Sequence, residues 1–522
     1  MDRATRKVVI VGGGTAGWIA ANRIAAECRH WREPLQVVLV EAPDIATIGV
    51  GEGTWPSMRR TLQRIGIDEG EMLHACSASF KQGTRFLGWS GQRETDEYIH
   101  PFSLPVEYVR LNPAKYWLGE RPNMPFARFA TPQVAAIERG LAPKEASAPP
   151  YAFAFNYAYH LDAGKFAELL QRHAVQRLGV AHVSGKVEQI ESLEDGDIAA
   201  ISLDTGVRVP GDLFVDCTGQ RALLIGGHFR RRFVSARDVL FNDRAIAVQV
   251  PYHHPDAPIA SATLATAEPS GWIWDIGLQT RRGLGAVYGS DHMDESTARA
   301  ALVAYVARTS PQIQPETLTY RSIAFEPGHR DTFWHRNCVA IGLSQGFVEP
   351  LEASALALVE QSAAIVAEQM PRTRQVMDAV ARRFNERLRY HWGRIVEFLK
   401  LHYATSARDE PYWRAHRDLA TWPEGLADKL LLWQQQPPWH DDAPRVDELF
   451  PSASYQYVLY GMGFRPRHAG DDSPSYVAMR SEADQVFHAS RARAAEAQQR
   501  LPTNREVLRA IAEQTGGSAN GA

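Results

Sequence analysis

The feature that most constrains this chain is its first strand and the turn that follows. Val8-Val9-Ile10-Val11 is an apolar run of buried-strand type, Gly12-Gly13-Gly14-Thr15-Ala16-Gly17 comes at once, and Trp18 to Glu27 has helix-forming composition. A G-x-G-x-x-G turn between strand and helix is a Rossmann start. Gly12 permits the tight turn, Gly14 lets the backbone approach a pyrophosphate, Gly17 allows close helix-to-strand packing, and the helix opening at Thr15 and Ala16 offers unpaired N–H groups to phosphate. A second apolar strand, Leu35 to Val40, ends at Glu41, where an acidic side chain binds a ribose hydroxyl. The plainer alternative is a glycine-rich turn in an ordinary α/β unit.

Composition narrows the class further. The 522 residues allow roughly three domains and a large core. A net charge of -3 and a pI near 6.7 provide no basic field, so neither nucleic acid nor an anionic membrane is an expected partner. The four cysteines, Cys28, Cys76, Cys217 and Cys338, are far apart and form no C-x-x-C pair, which fits a reduced, cytoplasmic protein with no metal site. No apolar run approaches the ~18 residues of a membrane span, and a strand beginning at Val8 leaves no room for a signal peptide. A soluble cytoplasmic enzyme is therefore expected.

The chain shows no internal repeat. Residues 93 to 150, from Tyr98-Ile99-His100-Pro101-Phe102 to Ala148-Pro149-Pro150, are rich in proline and aromatics and predict long loops with short helices, of the kind that cover a site. Asp162 to Arg177 predicts an amphipathic helix, Val183 to Ser202 alternates as strands, and a strand pattern from Val207 ends at Asp216-Cys217-Thr218-Gly219. From Ala245 to Tyr288 the alternation predicts a separate antiparallel sheet on the substrate side. Asn337 to Gly342 is another apolar strand, and Ala355 to Leu401 predicts long helices. After Pro502 one short helical pattern precedes an end expected to be disordered.

Two ionisable residues stand out. Glu352 lies in the otherwise apolar Gly346-Phe347-Val348-Glu349-Pro350-Leu351-Glu352-Ala353-Ser354, as a candidate acid or base or as a carboxylate placed for a helix macrodipole. Lys81 by itself reads as a solvated surface lysine, because buried lysine is rare. The glycines of Gly283-Leu284-Gly285-Ala286-Val287-Tyr288-Gly289 have the wrong spacing for a second nucleotide fingerprint and sit among strand residues.

Together these motifs resemble the flavin-dependent tryptophan halogenases, from about Lys7 to Pro466. The resemblance rests on Gly12 to Gly17, on Ile48-Gly49-Val50-Gly51-Glu52-Gly53-Thr54-Trp55-Pro56, on Ser79-Phe80-Lys81-Gln82-Gly83, on Gly271-Trp272-Ile273-Trp274-Asp275-Ile276, and on Phe347 to Ser354. The Trp-x-Trp-x-Ile signature at Trp272 and Trp274 is the most specific of these. In the family it is thought to keep the flavin from acting as a monooxygenase on the substrate, and Gly277 here replaces the usual proline, which implies a more flexible loop. The implied architecture is an α/β fold with an FAD-binding, Rossmann-like domain of flavin monooxygenase type. That domain would span 1–90, 150–225 and 325–370, interleaved with a substrate-side antiparallel sheet and loops at 91–149 and 226–324. A mainly helical part at 371–500 and a tail at 501–522 would follow.

The resemblance also implies a chemistry. Reduced FAD and O2 convert bound bromide or chloride to hypohalous acid, which crosses to a separate pocket holding an electron-rich ring. Gly12, Gly14, Thr15, Ala16, Gly17, Glu41, Ile48, Gly49, Glu52, Val187, Leu343 and Leu356 would hold FAD. Lys81 matches the family's essential lysine, whose amine hydrogen-bonds the hypohalous acid or becomes a haloamine; the first needs an ammonium and the second a neutral amine, which burial favours. Glu352 matches the glutamate that stabilises the cationic ring and accepts its proton. The N–H groups of Ser354 and Ala355 match the halide site. Two departures bear on that site: Ala353 stands where serine is usual and Ala355 where glycine is usual, so bromide preference over chloride is one expectation.

His100 and Phe102 match positions that sandwich an indole, although a satisfied core histidine beside a packed phenylalanine explains them too. The segment Leu449 to Tyr457 lacks the paired tyrosines, glutamate and tryptophan that clamp an amino-acid backbone, so an indole without that group, or a larger indole-bearing molecule, is the expected substrate. With no second fingerprint, a separate NAD(P)H-dependent flavin reductase is the expected source of FADH2, and a homodimer is left open. A two-component flavin-dependent aromatic hydroxylase on the same scaffold is the alternative, and a non-catalytic flavin-binding protein is the third.

Overall fold

The computed structural model describes residues 3–44, 51–91, 96–120, 124–466 and 474–519. The chain divides into two compact units, each assembled from three stretches: Met1–Ser77, Leu161–Ala236 and Phe325–Gly393 in the first, Ala78–His160, Arg237–Ala324 and Arg394–Ala522 in the second.

The first unit is built on a six-stranded sheet in the order Trp334–His335, Cys338–Ala340, Leu213–Asp216, Lys7–Val11, Gln36–Glu41, Ala181–Ser184. All neighbours run parallel except the edge strand Trp334–His335. Strands of a parallel sheet are buried on both faces, so they read as unbroken apolar runs; Val8, Val9 and Ile10 are accordingly fully buried. Thr15–Cys28 packs against Ser354–Glu368 and Ala163–Leu178. The last of these starts on Asp162, whose carboxylate caps Gly164 N and Lys165 N, and stops at Gly179 in the left-handed region. The central strand Lys7–Val11 is flanked by strands that reach it through separate crossovers, so Gly12, Glu41 and Asp216 gather at one end of the sheet, the usual place for a nucleotide.

The second unit carries the separate antiparallel sheet that the alternation predicts. Its seven strands run Tyr320–Ala324, Arg244–Pro251, Arg281–Tyr288, Gly271–Gly277, Thr263–Glu268, Gly83–Leu87, Glu97–Pro101, and one pair, Thr263–Glu268 with Gly83–Leu87, is parallel. Arg281–Tyr288 contains Gly283 and Gly285, two of the glycines that fail as a nucleotide turn, and it is a paired strand throughout. A short pair, Ser79–Lys81 with Ala158–Leu161, carries the candidate lysine. Residues 93 to 150 contain the edge strand Glu97–Pro101 and the helices Pro113–Glu120, Phe126–Ala130 and Gln133–Glu138. Two expectations need correcting. Gly277 lies not in a flexible loop but at the end of a buried strand, paired with Arg282 and accepting a hydrogen bond from Ser79 Oγ at 2.5 Å. The helix after Pro502 is long, Asn504–Ala519, because Asn504 is buried and bonds both backbone groups of Phe80. No described helix is long and apolar enough to cross a membrane.

Candidate active site

At the end of the first unit's sheet, the glycine turn is fixed by close approaches. Gly12 has φ 115°, and a Cβ there would stand 2.2 Å from the Cys217 carbonyl oxygen; one on Gly17 would stand 1.9 Å from the Gly12 carbonyl oxygen. Gly14 differs. A Cβ on it would meet no protein atom within 4 Å, so the protein's own packing does not require glycine there. The open approach fits a pyrophosphate. The helix that follows has no side-chain cap at Gly14, which leaves its first N–H groups to an anion.

Around this turn the structure gathers most of the expected cofactor residues. Glu41 ends its strand with the carboxylate over Gly13, where a Cβ would lie 2.1 Å from the carboxyl carbon, and its Oε2 is 3.0 Å from His182 Nε2. Ala16 meets the turn Gly342–Ser344 that carries half-buried Leu343, and Leu356 is buried in the first turn of Ser354–Glu368. Val187 begins a strand and packs its side chain on the apolar core. Glu52 is half-buried; burial, followed by the charge of Asp162, raises its carboxyl to about 7. Ile48 and Gly49 lie outside the described residues. Asp216, passed over as a site residue in the sequence, organises the end of the sheet. It is fully buried and accepts from Thr218 N at 3.0 Å, Thr218 Oγ1 at 2.7 Å, and Leu224 N and Ile225 N at 2.8 Å each.

The Glu352 segment also belongs to this unit. The turn Leu351–Ala353 leads directly into Ser354–Glu368, with Glu352 at φ 63° and Ala353 at φ 55°, both left-handed without being glycine. The indole N–H of Trp55 donates to the Glu352 carbonyl at 2.7 Å, and Glu352 itself is buried. Ala353 caps the helix with no side-chain hydrogen bond; Ser354 is buried and Ala355 exposed. Uncapped N–H groups at a helix start suit an anion. Two turns further on, Glu360 is buried and accepts from Ser57 Oγ at 3.0 Å and Thr61 Oγ1 at 2.5 Å; burial raises its carboxyl to about 8 against the pull of those two bonds. Its partners lie about 300 residues away in sequence, so no local pattern announces it.

In the second unit, Lys81 is 1% exposed, and its Nζ stands 5.3 Å from the centroid of the Phe102 ring. Phe80, facing the other side of the strand, packs edge-on against Tyr157 at 5.2 Å. His100 Nε2 is 2.9 Å from Ser454 Oγ, with its ring 5.8 Å from Phe398 and 6.0 Å from Tyr457. Trp272 and Trp274 lie on the strand Gly271–Gly277, every residue of which is buried. Trp274 faces Gly285 across the pair, where a Cβ would be 2.1 Å from its indole. Among the described residues no group of three or more His, Cys, Asp or Glu is placed to hold a metal ion.

A family model for tryptophan halogenases matches residues 7–475. The chain belongs to this family. It is 31% identical to the tryptophan 7-halogenase RebH of Lentzea aerocolonigenes, over 96% of this chain and 98% of that one. Among solved structures it is similar to a tryptophan halogenase from Shewanella frigidimarina, with a TM-score of 0.94 and 45% identity over 98% of both chains. It is also similar to BrvH, a flavin-dependent halogenase from Brevundimonas, with a TM-score of 0.84 and 33% identity over 97% of this chain and 99% of that one. This family member is therefore an enzyme, a flavin-dependent halogenase, and the hydroxylase alternative is not favoured.

Proposed function

We propose that this halogenase takes FADH2 from a separate NAD(P)H-dependent reductase, makes hypohalous acid from O2 and bromide or chloride, and delivers the halogen through Lys81 to an indole-like ring. When bound, the reduced flavin supplies the oxidising power through O2, and the remaining tasks fall to this chain's side chains. The observation that carries the reading is the burial of Lys81 beside the Phe102 ring. A buried amine against an aromatic face is shielded from solvent, which suits a group that hands a halogen to a ring.

Gly12 to Gly17, with Glu41, would hold the pyrophosphate and ribose of FAD, supported by the open approach to Gly14. Ile48, Gly49, Glu52, Val187, Leu343 and Leu356 complete the proposed contacts. The N–H groups of Ser354 and Ala355 would hold the halide, supported by the uncapped helix start. Glu352 would accept the ring proton as general base. His100 and Phe102 would orient the ring by stacking, at about 0.5–1.5 kcal/mol per aromatic pair. On this reading free tryptophan is not favoured over an indole that lacks the amino-acid group. In the helix Ser452–Gly461, Tyr455 donates to Glu397 Oε1 at 3.1 Å and Gln456 Nε2 to the Pro438 carbonyl at 2.6 Å, so these side chains serve the interior of their own unit rather than an amino-acid group.

The test is Lys81→Ala, assayed with a flavin reductase, NADH, bromide and indole and read by mass spectrometry for the two-line bromine pattern. Halogenated product vanishes while FAD binding and hydrogen peroxide release continue. Loss of FAD binding would instead make Lys81 structural and refute the reading.

A further inference from the structure

Beside Lys81 stands a histidine to which the reading above gives no task. Ser79–Lys81 and Ala158–Leu161 run antiparallel, with His160 opposite Ser79 and Ala158 opposite Lys81. Paired residues share a sheet face, as do residues two apart on one strand, so Lys81 and His160 project to the same side as diagonal neighbours at about 7–8 Å. Both are buried, His160 completely. The His160 Nε2 lies 2.8 Å from Thr263 Oγ1, whereas its Nδ1 is buried without a hydrogen-bond partner among the described residues. A buried ring nitrogen with no partner is costly and asks for an explanation.

The electrostatics supply one. Burial first, and then the positive charge of Lys81, hold the imidazole well below its ordinary range, so the ring is neutral. Lys81 is the charged group that bears on the ring, and the group facing it from Thr263–Glu268 is a hydroxyl. In the tautomer whose Nε2–H donates to Thr263 Oγ1, Nδ1 presents a lone pair. Burial is the larger cause, and the part of the shift that comes from Lys81 is lifted once the amine loses its charge, so the two groups are coupled.

We propose that His160 is a positioning residue for Lys81, accepting a proton from the ammonium as the amine engages hypohalous acid and returning it once the halogen has left. The proposal rests on the reading of Lys81 as the delivering amine. Lys81–NH3+ and the neutral ring become Lys81–NH2 and imidazolium. The amine nitrogen attacks the halogen of the hypohalous acid; the N–halogen bond forms, the O–halogen bond breaks, and hydroxide leaves with a second amine proton as water. When the aromatic ring takes the halogen, the N–halogen electron pair returns to nitrogen, and the proton displaced from the ring passes to Glu352 and from there to that nitrogen. The imidazolium then restores the ammonium.

His160→Gln keeps a polar group that can bond Thr263 but cannot carry a proton. In the bromide and indole assay its kcat at pH 7 falls at least tenfold with KM for indole unchanged, and log kcat rises with pH as hydroxide replaces the ring. FAD affinity and peroxide release without indole stay at the wild-type level. A wild-type kcat and pH profile in this variant overturns the proposal. A second measurement leaves the ring intact: in 15N-histidine-labelled Lys81→Met, one buried ring takes its proton more readily than in the wild type while burial still holds it low, and no change in any ring's titration also overturns the proposal. An inactive Lys81→Ala beside a fully active His160→Gln removes this proposal alone, whereas an active Lys81→Ala removes the lysine reading with it.

Discussion

Glu360 turns a buried contact into a pH dependence of stability. Its carboxyl is 3% exposed on Ser354–Glu368 and accepts from Ser57 and Thr61, and burial raises it from 4.5 to about 8. Below pH 4.5 the folded and unfolded chains both hold this proton, and the group makes its full contribution. Between 4.5 and about 8 the unfolded chain releases the proton and the folded chain keeps it, so each pH unit costs about 1.4 kcal/mol of stability. Above about 8 both states are ionised and the loss is complete, at about 5 kcal/mol in total. With the side chain almost wholly buried, solvent screening takes little from this figure. Glu360→Gln has nearly the same shape and no proton to lose. Urea unfolding of the wild type and the variant from pH 5 to 9, followed on the first transition, should show the variant gaining on the wild type by about 1.4 kcal/mol per unit up to about pH 8 and then levelling off. A difference that stays constant across the range would refute the assignment.

Three further outcomes are expected. Gly285→Ala drives a Cβ to 2.1 Å from the buried Trp274 indole, so it should lower stability by about 1–3 kcal/mol, and an unchanged unfolding midpoint would contradict that packing. With equal bromide and chloride, the brominated product should dominate, because Ala353 and Ala355 alter the hydroxyl and the bulk at the helix start proposed for halide; a dominant chlorinated product rejects this. Simple indole should be turned over at least as well as tryptophan, since Tyr455 and Gln456 are engaged within their own unit, and side-by-side product yields decide the point.

What the sequence revealed follows the range of the forces involved. Val8 to Val11 and Gly12 to Gly17 were legible because burial on both faces and a tight turn write themselves into adjacent residues, and the strand, turn and helix stand where the pattern predicts. The antiparallel sheet from Ala245 to Tyr288 was legible for the same local reason. Gly277 was misread because its partners, Arg282 and Ser79, are set by register and not by neighbouring residues. The final helix was read as short because its anchor is the Asn504 side chain bonded to the backbone of Phe80, more than 400 residues earlier. Glu360 and His160 were invisible for the same cause, since each is defined by what faces it across the fold.

The Glu352 segment marks the limit of motif reading. Residue identity alone points to an acid at the entrance of a helix, and it cannot say that Glu352 and Ala353 both adopt left-handed backbone. Two such non-glycine residues in succession cost about 1–3 kcal/mol each and persist only where surrounding bonds fix them. Here the Trp55 indole donates to the Glu352 carbonyl, and Ala353 N donates to the Pro350 carbonyl at 3.0 Å. The left-handed pair leads into a helix that starts at Ser354 with no side-chain hydrogen bond from its cap residue, Ala353. A serine or aspartate cap would relieve those groups and close them to an anion. The strained turn and the helix start without a side-chain cap are thus one arrangement, in which the Trp55 bond helps hold the left-handed backbone.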